Sequence, residues 1–201
     1  TDYMEIASVG STLLNVAIML GISIYSYKKL EIPLNGTVIG SLGMLAGFSF
    51  FGKNLFNSIP FMIGVWIYTK VTKQNYRNYV IVGLFGSALG PLISFLAFSG
   101  VLPQGWSVLI AYALGIFIGF ILPQLSTQFL GFHQVFSLYN VGFTAGIIGM
   151  VVLGFMNAFG IEVETRTLTS TQSPLILYQL LIGFCMILIV TSFYLHFKKK
   201  E

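Results

Sequence analysis

The stretch "FGKNLFNSIPF", Phe51 to Phe61, decides how this chain is read. On its left runs "NGTVIGSLGMLAGFSF", residues 35–50, and on its right "MIGVWIYT", residues 62–69, both apolar. Between them stand Lys53, Asn54, Asn57, Ser58 and Pro60. That is too polar for the middle of a membrane helix. Each apolar run beside it is also short, because a lipid crossing takes roughly 20 mostly apolar residues. The segment therefore reads as a break between two short membrane segments.

Composition supplies the membrane. Of 201 residues, 56% are hydrophobic and only 8% charged, against roughly 25% charged in soluble domains. Mean hydropathy is +0.87. A soluble fold of this length has too little interior to hide so much apolar side chain. The 19 Phe and 10 Tyr suit lipid-facing and interfacial positions. The net charge of +4 reads as a topology marker, and no nucleic-acid partner is expected. The one cysteine, Cys185, excludes an intrachain disulfide and reads as a core thiol. No basic n-region with a cleavage site opens the chain, so no signal peptide is read. Without an initiating methionine, it reads as processed or as part of a longer chain.

Full-length spans are expected at residues 6–27, 80–100, 106–130, 135–159 and 174–197, with shorter apolar runs at 35–51 and 55–69. Connections are short, so residues 1–201 read as a single polytopic domain. The expected fold is an all-α integral membrane protein of about seven hydrophobic segments, some broken or re-entrant. With the N-terminus outside, Lys28, Lys29, Lys70, Lys73, Arg77, Lys198, Lys199 and Lys200 fall on the cytoplasmic side, and only Lys53 and Arg166 outside. Eight against two follows the positive-inside rule. An odd number of crossings is what one half of an inverted-repeat transporter shows. Small-residue pairs four apart (Gly36/Gly40, Gly43/Gly47, Gly86/Gly90, Gly115/Gly119 and Gly142/Gly146) predict close helix packing, since apolar burial gives no drive in lipid.

A second polar break, "FHQVFSLYNVGFTAG", echoes the first. Leu55-Phe56-Asn57 and Leu138-Tyr139-Asn140 share a Leu-aromatic-Asn order, with Phe61 and Gly64 after one, Phe143 and Gly146 after the other. Paired polar breaks point to a site built from discontinuous helices. Non-helical backbone at depth is tolerated only inside protein or along a water-filled cavity. On this reading Asn54, Asn57 and Asn140 hydrogen-bond a solute, Phe56, Tyr139 and Phe143 form apolar walls, Lys53 sits hydrated at the mouth, and His133 adds a titratable group. Asn57 and Asn140 are expected close together near mid-membrane, each with a free amide. The competing reading makes Lys53 a snorkelling side chain and the asparagines interhelical glue.

Several chemistries lack their residues. There is no Gly-rich phosphate loop ending in Lys-Ser/Thr, no run of acids for a proton relay, no metal-spaced His or carboxylate pair, and no nucleophile beside a base. An enzyme, a metal site and a cofactor are therefore not expected.

Taken with "TDYMEIASVGSTLLN", the first break with its flanks, "LFGSALGPLIS" and "FHQVFSLYNVGFTAGIIG", the chain resembles one unit of a bacterial membrane family known as domain of unknown function 1576. That resemblance spans nearly the whole chain and implies a unit that occurs twice in some proteins. More distantly, Asn54 and Asn57 before Pro60, "GLFGSALGPL" and "SLYNVGFTAGIIG" resemble the order of breaks in a urea-transporter half-repeat. The implied activity is passage of a small polar, neutral solute. The expected partners are the lipid bilayer, that solute, and a homodimer mate or second repeat. The implied location is the bacterial inner membrane. The alternative is a non-transporting membrane module, either a substrate-capture subunit or an assembly partner.

Overall fold

The structure is a computed structural model and describes residues 3–101, 103, 105–133, 137–161, 163 and 174–198. Within them the chain is helical throughout. A short α1 (Tyr3–Ile6) precedes α2 (Val9–Lys29), α3 (Gly36–Phe50), α4 (Leu55–Val71), α5 (Val80–Gly86), α6 (Gly90–Phe98), α7 (Ser107–His133), α8 (Ser137–Ala158) and α9 (Pro174–Lys198). A 3-10 turn, Ser87–Leu89, joins α5 to α6, so 80–98 runs as one interrupted rod. Val9–Lys29, Val80–Phe98, Ser107–Phe129 and Asn140–Ala158 are long and apolar enough to cross a membrane. The molecule is an all-α, multi-pass membrane protein.

Local chemistry sets the helix ends. Helix α2 begins under Ser8, whose hydroxyl accepts from Ser11 N, and α3 under Asn35, whose side chain accepts from Val38 N. Four helices stop in the same way, with one residue at positive φ and the next N–H reaching back to a carbonyl five residues earlier. These pairs are Ile32 N to Tyr27 O, Lys53 N to Phe48 O, Gln74 N to Thr69 O and Ile161 N to Met156 O. The positive-φ residues are Glu31, Gly52, Lys73 and Gly160. At Gly52 the φ of 112° favours glycine, because a Cβ there is strained.

Helices α3 and α4 have 15 and 17 residues, or about 23 and 26 Å at 1.5 Å per residue. Both fall short of a hydrocarbon core of roughly 30 Å. The loops before α3 and after α4 lie together, because the Arg77 guanidinium donates to the Glu31 carbonyl. The hairpin α3–α4 therefore leaves and returns at one end of the bundle, as the paired basic loops require.

The core is centred on α4 and α7. A Cβ on Gly64 would overlap the Ile116 carbonyl and the Phe120 amide, and one on Gly119 would overlap the Phe61 carbonyl. Gly115 receives Pro60. The backbones are in contact, as small-residue packing in lipid demands. Phe61, Ile93, Ile118 and Leu122 are buried around this seam, and Val141, Ala145 and Ile148 of α8 close it. Among the described residues a Cβ on Gly36, Gly43, Gly47, Gly142 or Gly146 meets nothing, so the pairs Gly43/Gly47 and Gly142/Gly146 show no close backbone approach there. Every described side chain of α9 is exposed, including Cys185, which corrects the expected core thiol. An all-apolar surface needs no protein cover in lipid.

Candidate functional site

The break is shorter than its sequence suggests. The chain leaves the helix only across residues 51–54, and Leu55–Pro60 already belong to α4. Asn54 is the N-cap: its side chain accepts from Asn57 N at 3.0 Å. Asn57 answers, its Oδ1 accepting from Asn54 N at 3.0 Å. This is a capping box with asparagine at both corners. The Asn57 Nδ2 then donates to Gly52 O at 2.8 Å and to Ser94 Oγ at 2.9 Å. Gly90 makes room for the amide, since a Cβ there would collide with it.

Pro60 lies inside α4 and cannot donate the helix bond owed to the carbonyl four residues earlier. That carbonyl belongs to Phe56, and the Tyr112 hydroxyl of α7 donates to it at 2.8 Å. Proline thus leaves an acceptor that a second helix satisfies. Phe56 itself packs against Phe98 and Tyr112, with ring centroids 5.3 and 5.1 Å away. It makes an interhelical contact.

Helices α1 and α2 take further carbonyls at the break. Asn15 of α2 donates through Nδ2 to Ser49 O and Lys53 O, each at 2.9 Å. Tyr3 of α1 donates to Gly52 O at 2.9 Å and accepts from Asn54 Nδ2 at 2.8 Å. Burial raises the Tyr3 phenol above its ordinary value, and the Asn54 bond lowers it by less. The expectation of a free amide at Asn57 is therefore corrected. The polarity of Asn54 and Asn57 ends two helices, where a backbone group buried in protein must find a partner. Asn15 and Tyr3 were missed in the sequence. An asparagine inside the apolar run "LLNVAI" was the available signal for the first, because amides in membrane segments bond across helices.

Lys53 also departs from expectation. It is only 1% exposed, and not at a hydrated mouth. The positive-φ turn at Gly52 carries it inward, and its Nζ donates to Leu84 O at 2.6 Å. The Ser87 hydroxyl shares that carbonyl at 2.8 Å. Leu84 lies one turn before the Ser87–Leu89 interruption. The interruption follows from Pro91, which has no N–H for the Ser87 carbonyl, so Gly90 N–H bonds that carbonyl in its place. A Cβ on Gly52 would stand 3.1 Å from Pro91. Two helix interruptions thus face each other, with a lysine across them. Among the described residues Lys53 makes no ion pair. A lysine at bilayer depth costs at least roughly 2.5–3.5 kcal/mol on insertion scales.

The second break is organised differently. Its centre, residues 134–136, lies outside the described residues, as do the side chains of His133 and Tyr139. His133 ends α7, while Ser137–Asn140 are the first turn of α8, so this Leu-aromatic-Asn triplet is helical too. Asn140 is 4% exposed. Its Nδ2 donates to the Ser126 carbonyl of α7, and among the described residues its Oδ1 is buried without a partner. Phe143 is exposed and meets Phe129 edge-on at 5.9 Å. Asn57 and Asn140 share no partner, one being held by α6 and the other by α7. A buried amide oxygen with no donor calls for an explanation.

No curated protein and no solved structure matches the chain. A family model described as "Protein of unknown function (DUF1576)" matches residues 1–158, which takes in α1 to α8 with both breaks and stops before the exposed α9. The chain belongs to that family.

Proposed function

We propose that the chain is a transporter or channel unit for a small polar solute carrying N–H donors, urea or a simple amide being the type. The supporting observation is the orphan Oδ1 of Asn140, buried beside Ser126. A solute N–H would supply the missing donor, and losing such a bond in a buried site is worth about 1–3 kcal/mol. Phe143 and Phe129 give an apolar flank. The unit acts with a second copy or second repeat, in the inverted-repeat manner, and lies in the bacterial inner membrane. Its N-terminus is outside and its C-terminus cytoplasmic, the arrangement that places eight of ten basic residues inside. The test is flux in proteoliposomes, screened over urea, ammonium, formate and small amides. Asn140→Leu should lower flux of the responding solute roughly 5- to 150-fold, the equivalent of that bond. Flux at the parent rate in an Asn140→Leu protein that assembles normally would rule the site out.

One observation favours the second reading, a non-transporting module for solute capture or assembly. The α3–α4 break is closed by its own side chains: Asn15, Asn54, Asn57 and Tyr3 all spend polar groups on it. Saturable binding of a solute without flux in the same vesicles would select it.

A further inference from the structure

We propose that Lys53 is a proton-binding latch: its neutral amine closes the α3–α4 break onto the interrupted α5–α6 rod, and its protonation opens that contact. This stands whether or not a solute crosses. Two facts carry it. Lys53 is fully buried and, among the described residues, its Nζ has a single acceptor, Leu84 O. Ser58 Oγ, one turn into α4, is buried and unpartnered. Met62 and Val65, one and two turns after Ser58, approach Gly83 of α5, so Ser58 lies on the α4 face turned to the same rod.

An ammonium has three N–H donors and no acceptor, whereas a neutral amine has two donors and a lone pair. The closed contact offers one carbonyl. It therefore strands two donors and a charge in the protonated form but only one donor in the neutral form. Protonation adds H⁺ from solvent to the Nζ lone pair and breaks no bond. The ammonium gains by leaving the contact for water or an anion. Among the described side chains no carboxylate, imidazole or second amine faces it. Helices α3, α5 and α6 and the Ser87–Leu89 turn contain no titratable side chain. From α1 and α7 the titratable groups bonded at the break are the phenols of Tyr3 and Tyr112, whose contribution the division by the Lys53→Met rate below removes. Glu5 of α1 is exposed, and Asn15 of α2 is uncharged. On the sign, the open state binds more protons than the closed one, so the closed state gains stability as pH rises and loses it as pH falls.

The test places one thiol in the contact. Ser58→Cys in a Cys185→Ser background removes no hydrogen bond and leaves no other cysteine. In nanodiscs, its rate of modification by methyl methanethiosulfonate is measured between about pH 7 and about pH 10, the ordinary lysine value. Dividing by the rate in the same protein with Lys53→Met, or Lys53→Gln if the first fails to assemble, removes the thiol's own ionisation. The ratio should rise by up to about tenfold per unit of falling pH. Lys53→Arg, charged at every pH, should be open throughout. Parallel profiles with and without Lys53, or an arginine variant as closed as the methionine one, would overturn the latch. A pH-dependent ratio with no flux would uphold the latch and remove the transport reading. A flat ratio with flux would do the reverse.

Discussion

Leu55-Phe56-Asn57 and Leu138-Tyr139-Asn140 share an order of residues and a position, each within the first turn of its helix. Their fates differ. Asn57 spends its oxygen and both N–H groups on Asn54, Gly52 and Ser94. Asn140 spends one N–H on α7 and keeps a bare oxygen. The difference comes from the neighbours. Three residues before Asn57 stands Asn54, an N-cap, and Gly90 opens a slot beside Ser94 on the facing helix. Asn140 meets a helix backbone that offers a carbonyl but no donor. The same triplet thus ends a helix securely in one place and leaves hydrogen-bonding capacity in the other.

Four substitutions test that contrast, given in order of expected effect. Asn57→Leu removes the reciprocal half of the capping box, strands the Asn54 N–H inside the protein, and leaves Gly52 O with Tyr3 alone. With about 1 kcal/mol for the lost half of the box and 1–3 for the buried unpaired N–H, the loss should be about 2–4 kcal/mol. Unfolding in mixed micelles measures it, and a loss below about 1 kcal/mol would mean the box carries nothing. Gly90→Ala forces the Asn57 amide aside and should cost about 1–3 kcal/mol by overpacking. Asn57→Ala in the same protein should relieve part of that penalty, and simple additivity of the two changes would show that the slot is not shared.

Asn140→Leu gives up one hydrogen bond but also removes an unpaired buried oxygen, so stability should change by less than about 1 kcal/mol. Flux or solute binding is its proper readout. Stability as sensitive here as at Asn57 would erase the contrast. Smallest is Gly142→Ala. Its Cβ meets nothing, so the change should be neutral or stabilising by up to about 1 kcal/mol through helix propensity. Clear destabilisation in the assembled protein would reveal a partner on that face.

Much of the fold was legible. The spans 6–27, 80–100, 106–130 and 135–159 nearly coincide with α2, the α5–α6 rod, α7 and α8, because a lipid-crossing helix needs length and apolarity, both of which are local. The turn at residues 51–54 was legible from Gly52 and the change of polarity. The close packing of Gly115 and Gly119 was foreseen. That Gly142 and Gly146 stay open was not, since glycine spacing allows approach without naming a partner.

Sequence by itself determined that the chain is helical, membrane-embedded and interrupted before α4, because hydrophobicity, proline and glycine act over a few residues. Only the tertiary structure decided what the polar residues are for. Whether Asn57 faces a solute or a carbonyl depends on Ser94 and Gly90, more than 30 positions away in the chain. Whether Lys53 reaches water or Leu84 O depends on the direction in which a single positive-φ glycine turns the backbone. In a medium without water every amide and ammonium must be answered by a neighbour, and which neighbour stands there is set by how the helices pack.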